Sequence, residues 1–402
     1  MLSEKIIKHF FSAASMHRWN DKMRPVDLIE LDKQAHKMMI AYILGKYEEI
    51  NKTPGFSWIE IIEGGFFEFM QRTVITDLRP QLLYKIKNNK QQYAELKKYI
   101  LARVKDILSG LKNDYLLERF KKYLANDKIN VNTKILEAAH LWATRWEFDI
   151  IKNANPNGYE ISEIGAKLNE RQEKNLDLIS MKNLILSKDM QSFINLCGEL
   201  RFQVRWSHIP RIPATSVLGH MLIVALFSFI FTIEMDGCDR RIINNYFTGL
   251  FHDLPEVLTR DVISPIKKGV KGLDLFIKKF EKEEMEDKIY RIIPNEWKID
   301  MKMFTEDEFS NIVTVNNKKK RIDNSLFKKY NYDKYNPRDG KMIEFSDKLA
   351  AYMEAYLAIE NGANGDELKN AMIDIKKKYN NTKISGYDLG SCYNFVKNEG
   401  RL

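Results

Sequence analysis

Two stretches of this sequence read as versions of one another, and that duplication limits the fold more than any single motif does. Residues 65–80, GFFEFMQRTVITDLRP, run beside residues 249–265, GLFHDLPEVLTRDVISP, with the same spacing from Gly65 to Asp77 as from Gly249 to Asp261. Upstream, His36 precedes an apolar run as His220 does, and the distance from His36 to Glu68 equals that from His220 to His252. Further upstream each half carries an Arg-Trp pair, Arg18-Trp19 and Arg205-Trp206. Downstream, Glu137-Ala-Ala-His140 lines up with Glu344-Phe-Ser-Asp347, each followed by a helical stretch that ends in an Asn-rich turn. Five anchors in one order favour duplication over chance.

Helical periodicity runs through both halves. Gln91–Leu111 and Ala350–Glu360 place apolar residues at intervals of three and four, alternating Val/Ile strands are missing, and 10 prolines leave most segments uninterrupted. The reading is an all-α chain. Its 402 residues exceed what one ordinary core encloses, so two domains are expected, residues 1–175 and 190–402, with the polar stretch near 165–190 as their junction. The run Met221–Phe231 is too short to cross a bilayer and reads as a buried helix. Three scattered cysteines, Cys197, Cys238 and Cys392, indicate neither a disulfide framework nor a zinc knuckle, and with a poor N-terminal signal they fit a cytoplasmic protein. A formal charge of +9 admits a phosphate-bearing ligand, but the lysine runs at 318–320 and 376–378 read as solvated faces rather than a nucleic-acid surface.

Chemistry concentrates in the second half. Adjacent His252 and Asp253 offer one neutral nitrogen and one anionic oxygen to a divalent ion, and His220 and Asp347 are the distant imidazole and carboxylate that could complete the set. Each stands on or at the end of an expected helix, so a bundle can project all four inward. Two imidazoles with two carboxylates suit Mn, Co, Fe or Mg better than a structural zinc. The first half has His36, Glu68, Phe69 and His140 in the corresponding places. Phe69 removes a ligand, which favours a decayed copy kept for packing over a surviving His36/Glu68/His140 site.

The order His220, His252-Asp253, Asp347 resembles the HD superfamily of metal-dependent phosphohydrolases. With Arg205-Trp206, the stretch Ser216-Val-Leu-Gly-His220, the run from His252 to Asp261 and Ser346-Asp-Lys-Leu-Ala-Ala-Tyr352, it looks most like the bacterial 5′-deoxynucleotidase group. That resemblance implies two tandem HD-type helical bundles, the first degenerate, and one divalent metal held by His220, His252, Asp253 and Asp347. It implies that Glu256 orients or deprotonates the attacking water and that Asp261 acts as general acid or positions water. Arg205 would contact phosphate or sugar, Trp206 would pack on deoxyribose, and Lys267 would be a further phosphate contact. The expected activity is phosphate release from deoxynucleoside 5′-monophosphates. A triphosphohydrolase, a cyclic- or oligonucleotide phosphodiesterase and a non-catalytic nucleotide sensor are the alternatives. Related enzymes pair as homodimers, so the degenerate half would stand in for a second subunit and leave a monomer or weak oligomer that binds no membrane. One departure stands out: Gly219 and Ala35 occupy the place of a glutamate just before the first histidine, so a partner for His220 must come from elsewhere.

Overall fold

The computed structural model describes residues 2–76, 78–126, 128–260 and 270–395. It is 69% helical, with 17 α-helices among the described residues. Strands among the described residues are confined to two antiparallel hairpins, Ile312–Val315 with Lys318–Arg321 and Lys383–Ile384 with Tyr387–Asp388. The all-α expectation therefore holds. The expected helices over 91–111 and 350–360 appear as Lys90–Leu108 and as the end of Gly340–Glu360.

Val217–Glu234 is the central helix. Its composition is apolar on every side, and a helix hydrophobic all round has to be enclosed. It is long and apolar enough to cross a membrane, yet 94% of it is buried inside the protein. Ser216 caps its start by accepting from the Gly219 amide at 2.9 Å, which satisfies one of the donors left open at a helix N-terminus. Asp239–Phe251, Gly340–Glu360 and Glu30–Ile50 pack around it, and Val131–Ala154 packs on Glu30–Ile50. One continuous hydrophobic cluster, from Leu2 to Tyr393, runs through both halves of the chain. The polar stretch read as a junction is itself folded: Ile161–Glu173 and Ile179–Leu186 are helices, and Glu48 accepts from the Ser180 amide at 2.9 Å.

The two chain segments that lead into Glu30–Ile50 and Val217–Glu234 share one geometry. Arg18 N donates to Leu28 O at 2.7 Å and Glu30 N to Met16 O at 2.8 Å. Likewise, Arg205 N donates to Thr215 O at 3.0 Å and Val217 N to Gln203 O at 2.8 Å. Trp19 and Trp206 both sit in the left-handed region, at φ 57° and 56°. A bulky residue there is strained by on the order of 1 kcal/mol or more, so the surroundings must enforce it.

Counting from these turns shifts one sequence correspondence. His220 is the fourth residue of Val217–Glu234, and the fourth residue of Glu30–Ile50 is Lys33, not His36. Glycine contacts give the same register: Gly249 abuts Ala225, the ninth residue of its neighbour helix, and Gly65 abuts Met38, the ninth residue of its own neighbour. The connection between these two helices is thus three residues longer in the first half, residues 51–57 against 235–238. A comparison at constant spacing therefore pairs His220 with His36 one turn too late.

Candidate metal centre

Four elements meet at the buried face of the second half. Val217–Glu234 presents His220 one turn from its start, Asp239–Phe251 ends at His252, Asp253 follows in the turn, and Gly340–Glu360 carries Asp347. The last helix is fixed at its start by Asp339, which accepts from the Met342 amide and pairs with the buried Arg241. Side-chain donor atoms of His220, His252 and Asp347 all lie within 4.8 Å of one another. His220 Nε2 is 3.0 Å from Asp347 Oδ1 and 4.0 Å from Asp253 Oδ2, and His252 Nε2 is 3.2 Å from Asp253 Oδ2. Two ligands at right angles about 2.1 Å from one ion stand about 3 Å apart.

The tautomers are set from behind. His220 Nδ1 donates to Glu354 Oε1 at 3.1 Å and His252 Nδ1 donates to Gly249 O at 2.9 Å. In its neutral form each ring therefore has its lone pair on Nε2, and both Nε2 atoms face the carboxylates. His252 Nε2 makes no hydrogen bond although it is buried, an orphan that a metal would satisfy. Burial lowers the His252 imidazole, but the Asp253 carboxylate overrides this and lifts it to about 9. Asp253, against its own burial, is held down to about 2 by His252. The opposed shifts are those of a close His252–Asp253 ion pair. The residues present fit a divalent ion.

Glu354, absent from the sequence reading, is the hub of this arrangement. Besides His220 it accepts from Arg205 Nε at 3.2 Å and Trp206 Nε1 at 2.9 Å, and it is buried. It supplies the partner that Gly219 cannot. The polar atoms of the Arg-Trp pair turn inward to Glu354, while Arg205 Nη1 stays 3.7 Å from Asp253 Oδ2. Lys348 Nζ lies 2.8 Å from Asp347 Oδ2. Glu308, also unforeseen, is close enough for the charges of His252 and Asp253 to act on its carboxyl, which burial pushes up.

Glu256 does not share a continuous helix with Asp253. The helix ends at Phe251, and Glu256 opens a separate turn, Glu256–Thr259, behind Pro255. Its amide donates to Asp253 O at 3.0 Å, and Gln203 Nε2 donates to its carbonyl at 3.0 Å. Asp261 and Lys267 lie outside the described residues.

The first half repeats the frame with different contents. Arg18 Nε and Trp19 Nε1 both donate to Glu147, at 2.8 and 3.0 Å, as Arg205 and Trp206 do to Glu354. Glu147 follows His140 by the same interval at which Glu354 follows Asp347. The second oxygen of Glu147, however, takes Arg201 NH1 at 3.0 Å. His36, Glu68 and His140 do not converge. His36 donates from Nε2 to Ile194 O at 2.9 Å, Glu68 pairs with Lys37, and His140 is bonded by Lys33. Lysines thus stand where a metal site would need open ligands.

Asp32, the residue before Lys33, reaches across to the second half, where its Oδ1 accepts from Ser216 Oγ at 2.6 Å. It would lie 2.9 Å from a Cβ at Gly219, so the space of the missing glutamate is already filled. Burial raises its carboxyl to about 6, against Arg201 and the Ser216 hydrogen bond. The folded protein therefore holds that proton more tightly than the unfolded chain, and stability falls as pH rises from about 4 to about 6. Asp32→Asn keeps the acceptor and removes the charge. Urea midpoints are expected to coincide for the two proteins near pH 4 and to favour Asp32→Asn by roughly 3 kcal/mol above pH 6; a gap that shrinks with rising pH would contradict this.

Residues 197–376 match the HD domain family. The match supports the HD superfamily for that stretch and fits a metal-dependent hydrolase. No curated protein matches the chain.

Proposed function

We propose that the second half binds one divalent ion, Mn, Co, Fe or Mg, through His220, His252, Asp253 and Asp347, and releases phosphate from deoxynucleoside 5′-monophosphates. The observation that carries this reading is the pair of imidazoles whose Nδ1 atoms are committed and whose Nε2 atoms face two carboxylates. Such an ion acidifies water and offsets phosphate charge, the two requirements of phosphomonoester hydrolysis. The protein's own groups do the rest. Glu354 orients His220 and anchors Arg205 and Trp206, and Arg205 presents a guanidinium beside Asp253 where a phosphate oxygen would arrive. Trp206 offers its ring face to the sugar, and Glu256, buried behind the turn, orients water together with Asp261.

The test is a metal-supplemented assay of phosphate release from dAMP, dATP and a cyclic dinucleotide, run beside Asp253→Ala. Monophosphate hydrolysis is expected to dominate. Loss of a group that merely supports a ligand already costs 10- to 100-fold, so Asp253→Ala should lower the rate by roughly a hundredfold or more. Unchanged activity in that variant would remove the assigned site.

The first half is, in this reading, a degenerate HD-type copy over residues 1–175 that takes the place of a second subunit. The matched Arg-Trp turns, the Glu147 and Glu354 hubs and the shared core support it. Light scattering should then give a monomer of 47.3 kDa; a tight dimer would contradict the substitution.

A further inference from the structure

The positive charge of the chain is unevenly placed. Residues 318–335 hold seven lysines and arginines against two aspartates, so 18 residues carry a net +5 of the whole chain's +9. The first four of these cations form one strand. Ile312–Val315 and Lys318–Arg321 make a hairpin closed by Asn316-Asn317, whose φ values of 50° and 60° are those of the two-residue turn that suits strand twist. The base of the hairpin is fixed. Ile312 and Val313 are buried, Ile312 exchanges both backbone hydrogen bonds with Arg338 at 2.9 and 2.8 Å, and the buried Arg338 side chain donates to the carbonyls of Glu306, Asp307 and Ser310. The second strand is exposed along its whole length. Successive side chains of a strand leave by opposite faces, so Lys318 and Lys320 stand on one face and Lys319 and Arg321 on the other, about 6.6 Å apart on each. Arg321 pairs with Asp307 at 2.7 Å, while among the described residues the three lysines have no carboxylate within ion-pair distance. A lysine or two keeps an exposed edge strand from pairing with another chain; four cations in a row, on both faces, exceed that need.

Aromatic rings stand beside these cations. The turn Asp333–Tyr335 packs against the first strand, and Tyr332, just before it, is 60% exposed. Tyr335 meets Tyr330 edge-on with ring centres 5.0 Å apart, and Lys334 and Lys329 lie over these two rings at 5.0 and 5.7 Å. We infer that the hairpin and this turn form a surface for single-stranded nucleic acid, with the lysines on the phosphates and the Tyr332 ring against a base. This departs from the reading of the lysine run as a solvated face. Cations at strand spacing can follow a backbone of regularly spaced phosphates, and an exposed ring beside them stacks on a base of any sequence. A lipid surface fits less well, because the tip of the hairpin is Asn316-Asn317 and offers no apolar group to insert. The inference does not rest on the hydrolase reading, since neither the lysines nor Tyr332 belong to the metal centre.

The test is fluorescence anisotropy of a labelled, mixed-sequence single strand of about 20 nucleotides, titrated with the full-length protein in chelator at about 50 to 200 mM salt. The same strand as a duplex, and vesicles of phosphatidylserine and phosphatidylcholine, are run beside it. Single-strand binding is expected to weaken as salt rises. Lys318→Ala, Lys319→Ala and Lys320→Ala made together should lower the slope of log K against log salt by about 2, since each phosphate contact on a single strand contributes about 0.7, and should weaken binding roughly a hundredfold at about 50 mM salt. All three side chains are exposed, so the variant should fold, with circular dichroism as the control. Tyr332→Ala should weaken single-strand binding by roughly tenfold and leave the salt slope unchanged, which a purely electrostatic surface would not show. Asp253→Ala should bind the strand as the wild type does. The inference is overturned if the single strand is not bound at the lowest salt, if the triple variant binds it as tightly as the wild type, if the duplex binds as tightly and Tyr332→Ala has no effect, or if vesicles are bound and the strand is not. Single-strand binding retained in a protein with no hydrolytic activity would count against the hydrolase reading only.

Discussion

Glu354→Gln is expected to raise the dissociation constant for the divalent ion by 10- to 100-fold and to lower kcat/KM by a similar factor, although Glu354 is not itself a metal ligand. The carboxylate holds the His220 Nδ1 proton, Arg205 Nε and Trp206 Nε1. An amide cannot accept from all three while its own NH2 needs an acceptor, and the outer partner of a ligating histidine is commonly worth that much. Arg205 and His220 hold the Glu354 carboxyl well below the usual carboxylate range against its burial, so the charged form is the one the fold is built around. Metal binding followed by calorimetry, with circular dichroism as the folding control, checks this. Equal metal affinity in the wild-type and Glu354→Gln proteins would show that His220 is oriented by packing alone.

The counterpart experiment separates architecture from chemistry. Glu147→Ala is expected to destabilise the protein by about 3–5 kcal/mol, the range for stripping a buried ion pair of one partner. Arg18 would keep Glu30, but Arg201, buried against His36 and the Trp146 ring, would have no carboxylate within ion-pair distance among the described residues. Divalent-ion affinity per folded chain should stay as in the wild type. Urea unfolding and metal titration on the same samples test both halves of the statement. A stability change below about 1 kcal/mol would mean that the Glu147 network is relaxed by water, and a large loss of metal affinity would mean that the two hubs are coupled.

Much of the second-half site was legible because its ligands are chemically unusual in apolar surroundings. His220, His252, Asp253 and Asp347 stand out from sequence alone, and the structure brings them to one point. Glu354 escaped notice because one glutamate in a long helix ordinarily faces water, and only contacts from a distant turn reveal it as buried. A signal was nonetheless present: a glutamate follows both His140 and Asp347 at the same interval. His36 misled for a different reason. A three-residue difference in loop length is invisible to a comparison at constant spacing, and a histidine happened to fall where the shifted register needed one. The contacts of Trp19 and Trp206 with Glu147 and Glu354 were hidden for another reason: sequence carries no information on the positive φ that turns their indole nitrogens inward. The helical fold was easier to read than the site, since periodicity is distributed over many residues and tolerates local errors.

The helices that carry His220 and His252 touch backbone to backbone. A Cβ on Gly249 would fall 2.8 Å from Ala225 Cα and 2.9 Å from its amide nitrogen. The same glycine's carbonyl receives His252 Nδ1. The bite of the two imidazoles is thus gauged by main chain, which cannot give way as a side chain can, and the size of ion that fits is written into a contact with no functional group in it. In the first half Gly65 rests only against the Met38 thioether, a soft stop that holds no distance to a value.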